Sequence, residues 1–98
     1  MAAMSEELSE DAVVEALQKS QWTREGDAIV RDLRFPDFAA AMAYVNRVAD
    51  VAEQANHHPD ILVHGWNNVR LTLSTHSVGG LTRADVEMAG RIDGVPAS

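Results

Sequence analysis

Between Pro36 and Pro59 runs one long amphipathic stretch, and its stop at the second proline constrains the whole chain. Phe38, Ala41, Met42, Val45, Ala49 and Ala52 recur at the three-and-four spacing of a single helical face. Asp37 stands where an N-cap is needed. Pro59 disfavours the α conformation at His58, so the helix should end near Asn56 or His57.

The segments around this helix have shorter periods. Residues 1–7 read as a frayed polar leader. Ser9 is placed as an N-cap with Leu8 and Val13 as a hydrophobic staple, and a first helix should run to about Gln18. Gln21 to Glu25 and Ala28 to Arg34 read as two strands joined by a Gly26-Asp27 turn, with Arg31 interrupting the apolar alternation. Ile61 to Val63 is a short apolar strand. Val69 to His76 alternates: Val69, Leu71 and Leu73 face one way, and Arg70, Thr72, Ser74 and His76 the other. Gly79-Gly80 breaks the chain. Thr82-Arg83-Ala84-Asp85 has the form of a capping box, with Leu81 and Val86 as its staple and a last helix to about Ile92. The order α-β-β-α-β-β-α predicts an α+β fold, a single domain over residues 1–98. In it, helices pack on one face of a four-stranded, largely antiparallel sheet.

Charge removes whole classes of function. With 8 basic and 15 acidic side chains the formal net charge is −7, which repels phosphate backbones and anionic membrane surfaces. No apolar run approaches the roughly 20 residues that span a bilayer. The N-terminus lacks the basic and apolar regions of a secretory signal. No cysteine is present, which excludes disulfides and thiolate metal sites and fits a cytoplasmic protein. A chain of 98 residues buries a modest share of its surface, so association into a homodimer or homotetramer is expected.

What remains for chemistry is imidazole. Three of the four histidines, His57, His58 and His76, lie in or near one segment and its downstream strand. Imidazoles move protons near neutral pH. Glu53 is four residues before His57, one helical turn away, where it would orient that ring and favour its protonated form. Pro59 takes His58 out of helical geometry, which would let both rings share the space beyond the helix end. Glu53, His57, His58 and His76 offer ligands of the type zinc accepts. The paired-histidine spacing of helical zinc sites is absent, however. His64 stands alone and reads as surface, and Trp66 as a packing residue.

Glu53-x-x-x-His57-His58-Pro59, then Trp66, then Thr72-Leu73-Ser74-Thr75-His76, then Asp85, together resemble the pterin-4a-carbinolamine dehydratase family. The likeness extends from about Trp22 to Ile92. It implies dehydration of 4a-hydroxytetrahydropterin to quinonoid dihydropterin in pterin recycling. The pterin would be substrate, with no metal and no other cofactor, and an aromatic amino acid hydroxylase is an implied functional partner. On this resemblance His57, His58, His76 and Glu53 are the catalytic group. His57 would be the general acid oriented by Glu53, His76 a second acid/base, and His58 mainly a binding group. Asp85 would support His76. Ser74 and Thr75 would meet the pterin's amide edge through their backbone, with Trp66 near the site. Six residues separate Pro59 from Trp66, the longer spacing the family pattern tolerates, so Val63-His64-Gly65 is expected to be a reshaped loop. Two alternatives keep the fold and change the role: a molybdopterin-related pterin-binding protein, and a dimerisation cofactor acting through a helical surface.

Overall fold

A computed structural model describes residues 6–75 and 77–97. Its elements follow the expected order: α1 (Glu10–Leu17), β1 (Thr23–Glu25), β2 (Ala28–Arg34), α2 (Phe38–Ala55), β3 (Asp60–His64), β4 (Asn68–Leu73) and α3 (Arg83–Asp93). The strands form one antiparallel sheet in the order β1-β2-β4-β3.

Each helix starts where a polar side chain can take an unpaired amide. Ser9 accepts from the Ala12 N–H and Asp37 from the Ala40 N–H, at 3.2 and 2.7 Å. The residues expected as a staple around Ser9 are both inward, Val13 buried and Leu8 packed against the core. The chain is tied down just before α1: Glu7 bridges to Thr82, and the Leu8 N–H donates to the Leu81 carbonyl at 2.7 Å. Residues 1–5 of the expected leader lie outside the described residues.

Period-two alternation in β4 puts Val69, Leu71 and Leu73 on one face, all fully buried. They meet Ala41, Tyr44, Val48 and Ala52 of α2, and Met88, Ala89 and Ile92 of α3. The buried stripe of α2 is therefore rotated from the one expected. Tyr44 and Val48 lie at its centre, Val45 and Ala49 flank it, and Phe38 is 54% exposed. The 41-44-48-52 series is the straighter line along a 3.6-residue helix, and the large Tyr44 ring, 5.1 Å from that of Phe35, anchors it.

Arg31 interrupts the β2 pattern for a visible reason. Its guanidinium reaches Asp93 at the end of α3 (2.6 Å) and Gln21 (2.7 Å), and Asp93 also accepts from the Trp22 indole at 2.9 Å. The helix-free face of the sheet carries an Arg70–Asp32 pair at 2.8 and 3.0 Å. The stretch expected as a loop before Trp66 is largely strand, since Val63 and His64 pair with Val69 and Asn68. β4 ends at Leu73, three residues short of the expected end.

Among the described residues no helix is long and apolar enough to cross a membrane.

Candidate active site

The site begins with the end of α2. Asn56 adopts the left-handed conformation, φ 51° and ψ 40°, and its N–H returns to the Ala52 and Glu53 carbonyls. The His57 N–H also donates to the Ala52 carbonyl, at 3.2 Å. This is a Schellman-type closure, and it reverses the chain just before His57. The helix thus ends where expected, but the agent is Asn56; Pro59 acts only on His58.

The reversal separates His57 from Glu53. One turn of continuous helix would have stacked them, but the left-handed residue between them breaks that periodicity. His57 swings toward the start of α3, where its Nε2 lies 2.7 Å from Oδ1 of Asp85. Glu53 instead faces His58, whose Nε2 is 3.7 Å from Oε1, beyond hydrogen-bond reach and with both side chains more than half exposed. The expected pairing of Glu53 with His57 is corrected to Asp85 with His57 and Glu53 with His58.

Asp85 is 0% exposed, so its charge must be matched by donors. Oδ2 accepts the Thr82 N–H at 2.9 Å and the Thr75 hydroxyl at 2.8 Å. The Thr75 and Thr82 hydroxyls are themselves 2.8 Å apart. The capping-box acid of α3 therefore uses one oxygen on its own helix start and turns the other to an imidazole. An ionised carboxylate offers only acceptor sites, so His57 presents Nε2–H to it. That leaves Nδ1 as the nitrogen free to take or give a proton.

The remaining expected residues are placed as follows. His76 lies outside the described residues. Ser74 is half-buried just beyond β4. Thr75 turns its hydroxyl inward to Asp85, so the side chain serves the acid rather than a ligand. Trp66 is 60% exposed with φ 61°, at the turn joining β3 and β4. That turn is at the far end of the hairpin: His64 pairs with Asn68 beside it, whereas Asp60 and Thr72 form the end nearer Thr75. Within one chain Trp66 neither packs in the core nor joins the cluster. His64 is exposed, as expected. Asp85 stands behind His57; its expected support of His76 lies outside the described residues.

A hollow of about 220 Å³ adjoins His57 between α2 and α3, lined also by Gln54, Glu87, Met88 and Arg91. Ordinary ligand pockets hold about 300–1,000 Å³, so this hollow alone does not enclose a substrate-sized molecule. Among the described residues no three His, Cys, Asp or Glu side chains are gathered as a metal cage.

Sequence reasoning missed the Thr75–Asp85 link, although a signal existed. Thr75 continues the odd-numbered parity of Val69, Leu71 and Leu73, which points it toward the helices.

Comparison with known proteins identifies a family for the chain. A family described as pterin 4 alpha carbinolamine dehydratase matches residues 6–95. A Nocardia farcinica protein, provisionally named a pterin-4-alpha-carbinolamine dehydratase, is 50% identical over 90 residues, 91% of this chain and 94% of that one. A Thermomicrobium roseum protein with the same provisional name is 46% identical over 85 residues, 85% of this chain and 90% of that one. Among solved structures, a transcriptional coactivator/pterin dehydratase from Brucella melitensis superposes with a TM-score of 0.84 at 33% identity, covering 92% of this chain and 98% of that one. A pterin dehydratase-like protein identified as a RuBisCO assembly factor in the alpha-carboxysome shares the fold at 21% identity, with a TM-score of 0.60 over 76% of this chain and 84% of that one.

Proposed function

This chain belongs to the pterin-4a-carbinolamine dehydratase family, and from that premise we propose that it dehydrates 4a-hydroxytetrahydropterin to quinonoid dihydropterin and water. The observation that carries the reading is His57 held at Nε2 by the fully buried Asp85, 2.7 Å away, which commits Nδ1 to the reacting side.

The reaction needs two proton transfers. The C4a hydroxyl leaves as water once its oxygen gains a proton. The adjacent ring nitrogen loses its proton as the carbon–nitrogen double bond forms. No net proton is consumed, so imidazoles near neutral pH can carry the whole cycle. In this reading His57 delivers the proton to the departing oxygen through Nδ1, and Asp85 fixes the ring and balances its charge when it carries two protons. His58, with Glu53 beside it, binds and orients the pterin. His76 serves as the second acid/base. The backbone at Ser74 meets the pterin's amide edge, since the Thr75 N–H and carbonyl are taken by Gly80, Val78 and Gly79. The strand edges left open at β1 and β3 support a homo-oligomer, which sedimentation velocity tests directly.

The decisive experiment is stopped-flow ultraviolet detection of 4a-hydroxytetrahydropterin loss. Wild type should accelerate it, and His57→Ala should lower the enzymatic rate by about 10²–10⁴-fold, the usual share of one acid/base group. A folded wild-type protein that gives no acceleration would overturn the proposal.

A further inference from the structure

A capping box ordinarily uses its acid for one bond, from the side chain back to the N-cap amide, and leaves the second oxygen to solvent. Here the Asp85 carboxylate is wholly enclosed, and the Thr75 hydroxyl reaches it from outside the helix, ten residues earlier in the chain. We infer that Thr75 is a positioning residue: through Asp85, its hydroxyl fixes which nitrogen of His57 carries the hydrogen. The inference rests on the site described above and goes beyond the dehydratase reading, in which the Thr75 hydroxyl has no part.

The hydrogen-bond directions follow from counting protons. Thr82 Oγ1 lies 2.8 Å from Thr75 Oγ1 but 3.4 Å from Asp85 Oδ2, so its proton is best spent on Thr75. Thr75 then has its own proton for Asp85 Oδ2 at 2.8 Å. The result is a chain, Thr82 to Thr75 to Asp85, in which each bond polarises the next toward the carboxylate. With Oδ2 occupied by this hydroxyl and by the Thr82 N–H, Oδ1 is the oxygen left for His57. Remove the Thr75 hydroxyl and Thr82 Oγ1 becomes the next donor to Oδ2. The carboxylate is then free to rotate toward it, and its hold on Nε2 loosens.

Thr75 also organises the segment that follows it. Its N–H donates to the Gly80 carbonyl at 3.0 Å, and its carbonyl accepts from Val78 and Gly79 at 3.1 and 3.0 Å. One residue thus closes the 75–80 loop with its backbone and ties that loop to the His57–Asp85 pair with its side chain. His76 is the next residue in the chain.

Thr75→Val removes the hydroxyl and keeps the shape; Thr75→Ser keeps the hydroxyl and removes a methyl. The imidazole nitrogens are read by long-range ¹⁵N–¹H NMR, with the His57 signals assigned by loss in His57→Gln. Wild type and Thr75→Ser should show neutral His57 with its hydrogen on Nε2. Thr75→Val should show exchange between both tautomers, and kcat should fall on the order of tenfold to a hundredfold with KM little changed, the scale of a small misplacement of a reacting group. If Thr75→Val does not fold, Thr75→Ala is read the same way. A folded variant without the hydroxyl that keeps wild-type His57 signals overturns the inference. The NMR result stands whether or not the protein dehydrates a pterin, so failure of this inference and failure of the dehydratase reading are told apart.

Discussion

Asp85→Asn probes the most enclosed group of the site. The substitution preserves shape but exchanges one acceptor oxygen for an NH₂ donor. Asp85 now meets His57 Nε2 at 2.7 Å, Thr75 Oγ1 at 2.8 Å and the Thr82 N–H at 2.9 Å. An Asn with its NH₂ turned to Thr82 would set a donor against a buried N–H, at a cost of about 1–3 kcal/mol. The amide oxygen therefore stays on Thr82 and Thr75, the helix cap survives, and the NH₂ faces His57. Nε2 must then surrender its hydrogen, and the ring is driven to the Nδ1–H form. Hydrogen bonds to a charged group contribute roughly 1.5–3 kcal/mol against about 1 for neutral ones, so the net loss should be about 2 kcal/mol. For a domain of this size that is a fall in Tm of roughly 8–16 °C. Activity should drop by about 10²-fold or more, since His57 loses both its orientation and its balancing charge. Circular-dichroism melts and the stopped-flow dehydration assay measure the two effects on one sample. A folded Asp85→Asn protein that melts like wild type and keeps its rate to within about twofold would refute the reasoning.

Three further outcomes follow from other parts of the molecule. Asn56→Gly should raise stability by up to about 1 kcal/mol, because glycine adopts φ 51° without strain; a lowered Tm would contradict the left-handed cap. Tyr44→Phe should be neutral or stabilising by about 1 kcal/mol in urea titrations, since the Tyr44 hydroxyl is buried without a partner among the described residues and burial pushes the phenol up; a clear loss would refute this. Hydrogen bonds from Arg70 hold the Asp32 carboxyl below the usual range, so the pair contributes stability that is present above the unfolded value near pH 4 and is lost as pH falls through the folded value. Because both groups are exposed, Asp32→Asn should cost under about 1 kcal/mol at pH 7, and the gap between the two urea midpoints should close in strong acid; a gap that grows there would reverse the sign argued here.

The architecture was legible in the chain because its local signals agree. Ser9, Asp37 and Thr82 each stand where a helix begins, Gly26-Asp27 where two strands turn, and the β4 alternation names the buried face. The site was legible only as a set of residues. Its partnerships failed at Asn56, because helical spacing was carried through a residue that leaves the helix. Asn is the non-glycine residue that best tolerates a left-handed helix end, so Asn56 was itself a local signal; the closure back onto Ala52 fixes φ 51° there. His57 and Asp85 are 28 positions apart, and no periodicity links them. The position of Trp66 was misjudged because an aromatic side chain gives burial by default, whereas a turn residue at φ 61° is directed by the hairpin. The inward turn of Thr75 could have been read from strand parity alone.

The double duty of Asp85 limits how this protein can be made more robust. A helix start is usually a safe place to improve heat tolerance, because capping acids can be exchanged with little effect elsewhere. Lengthening this one to Glu would carry the carboxyl past the Thr82 amide and push it into the space of the His57 ring, 2.7 Å from the present oxygen. Thermostabilising changes are better sought on the sheet's open face, where Arg70 and Asp32 lie apart from the chemistry. The first turn of α3 is closed to them.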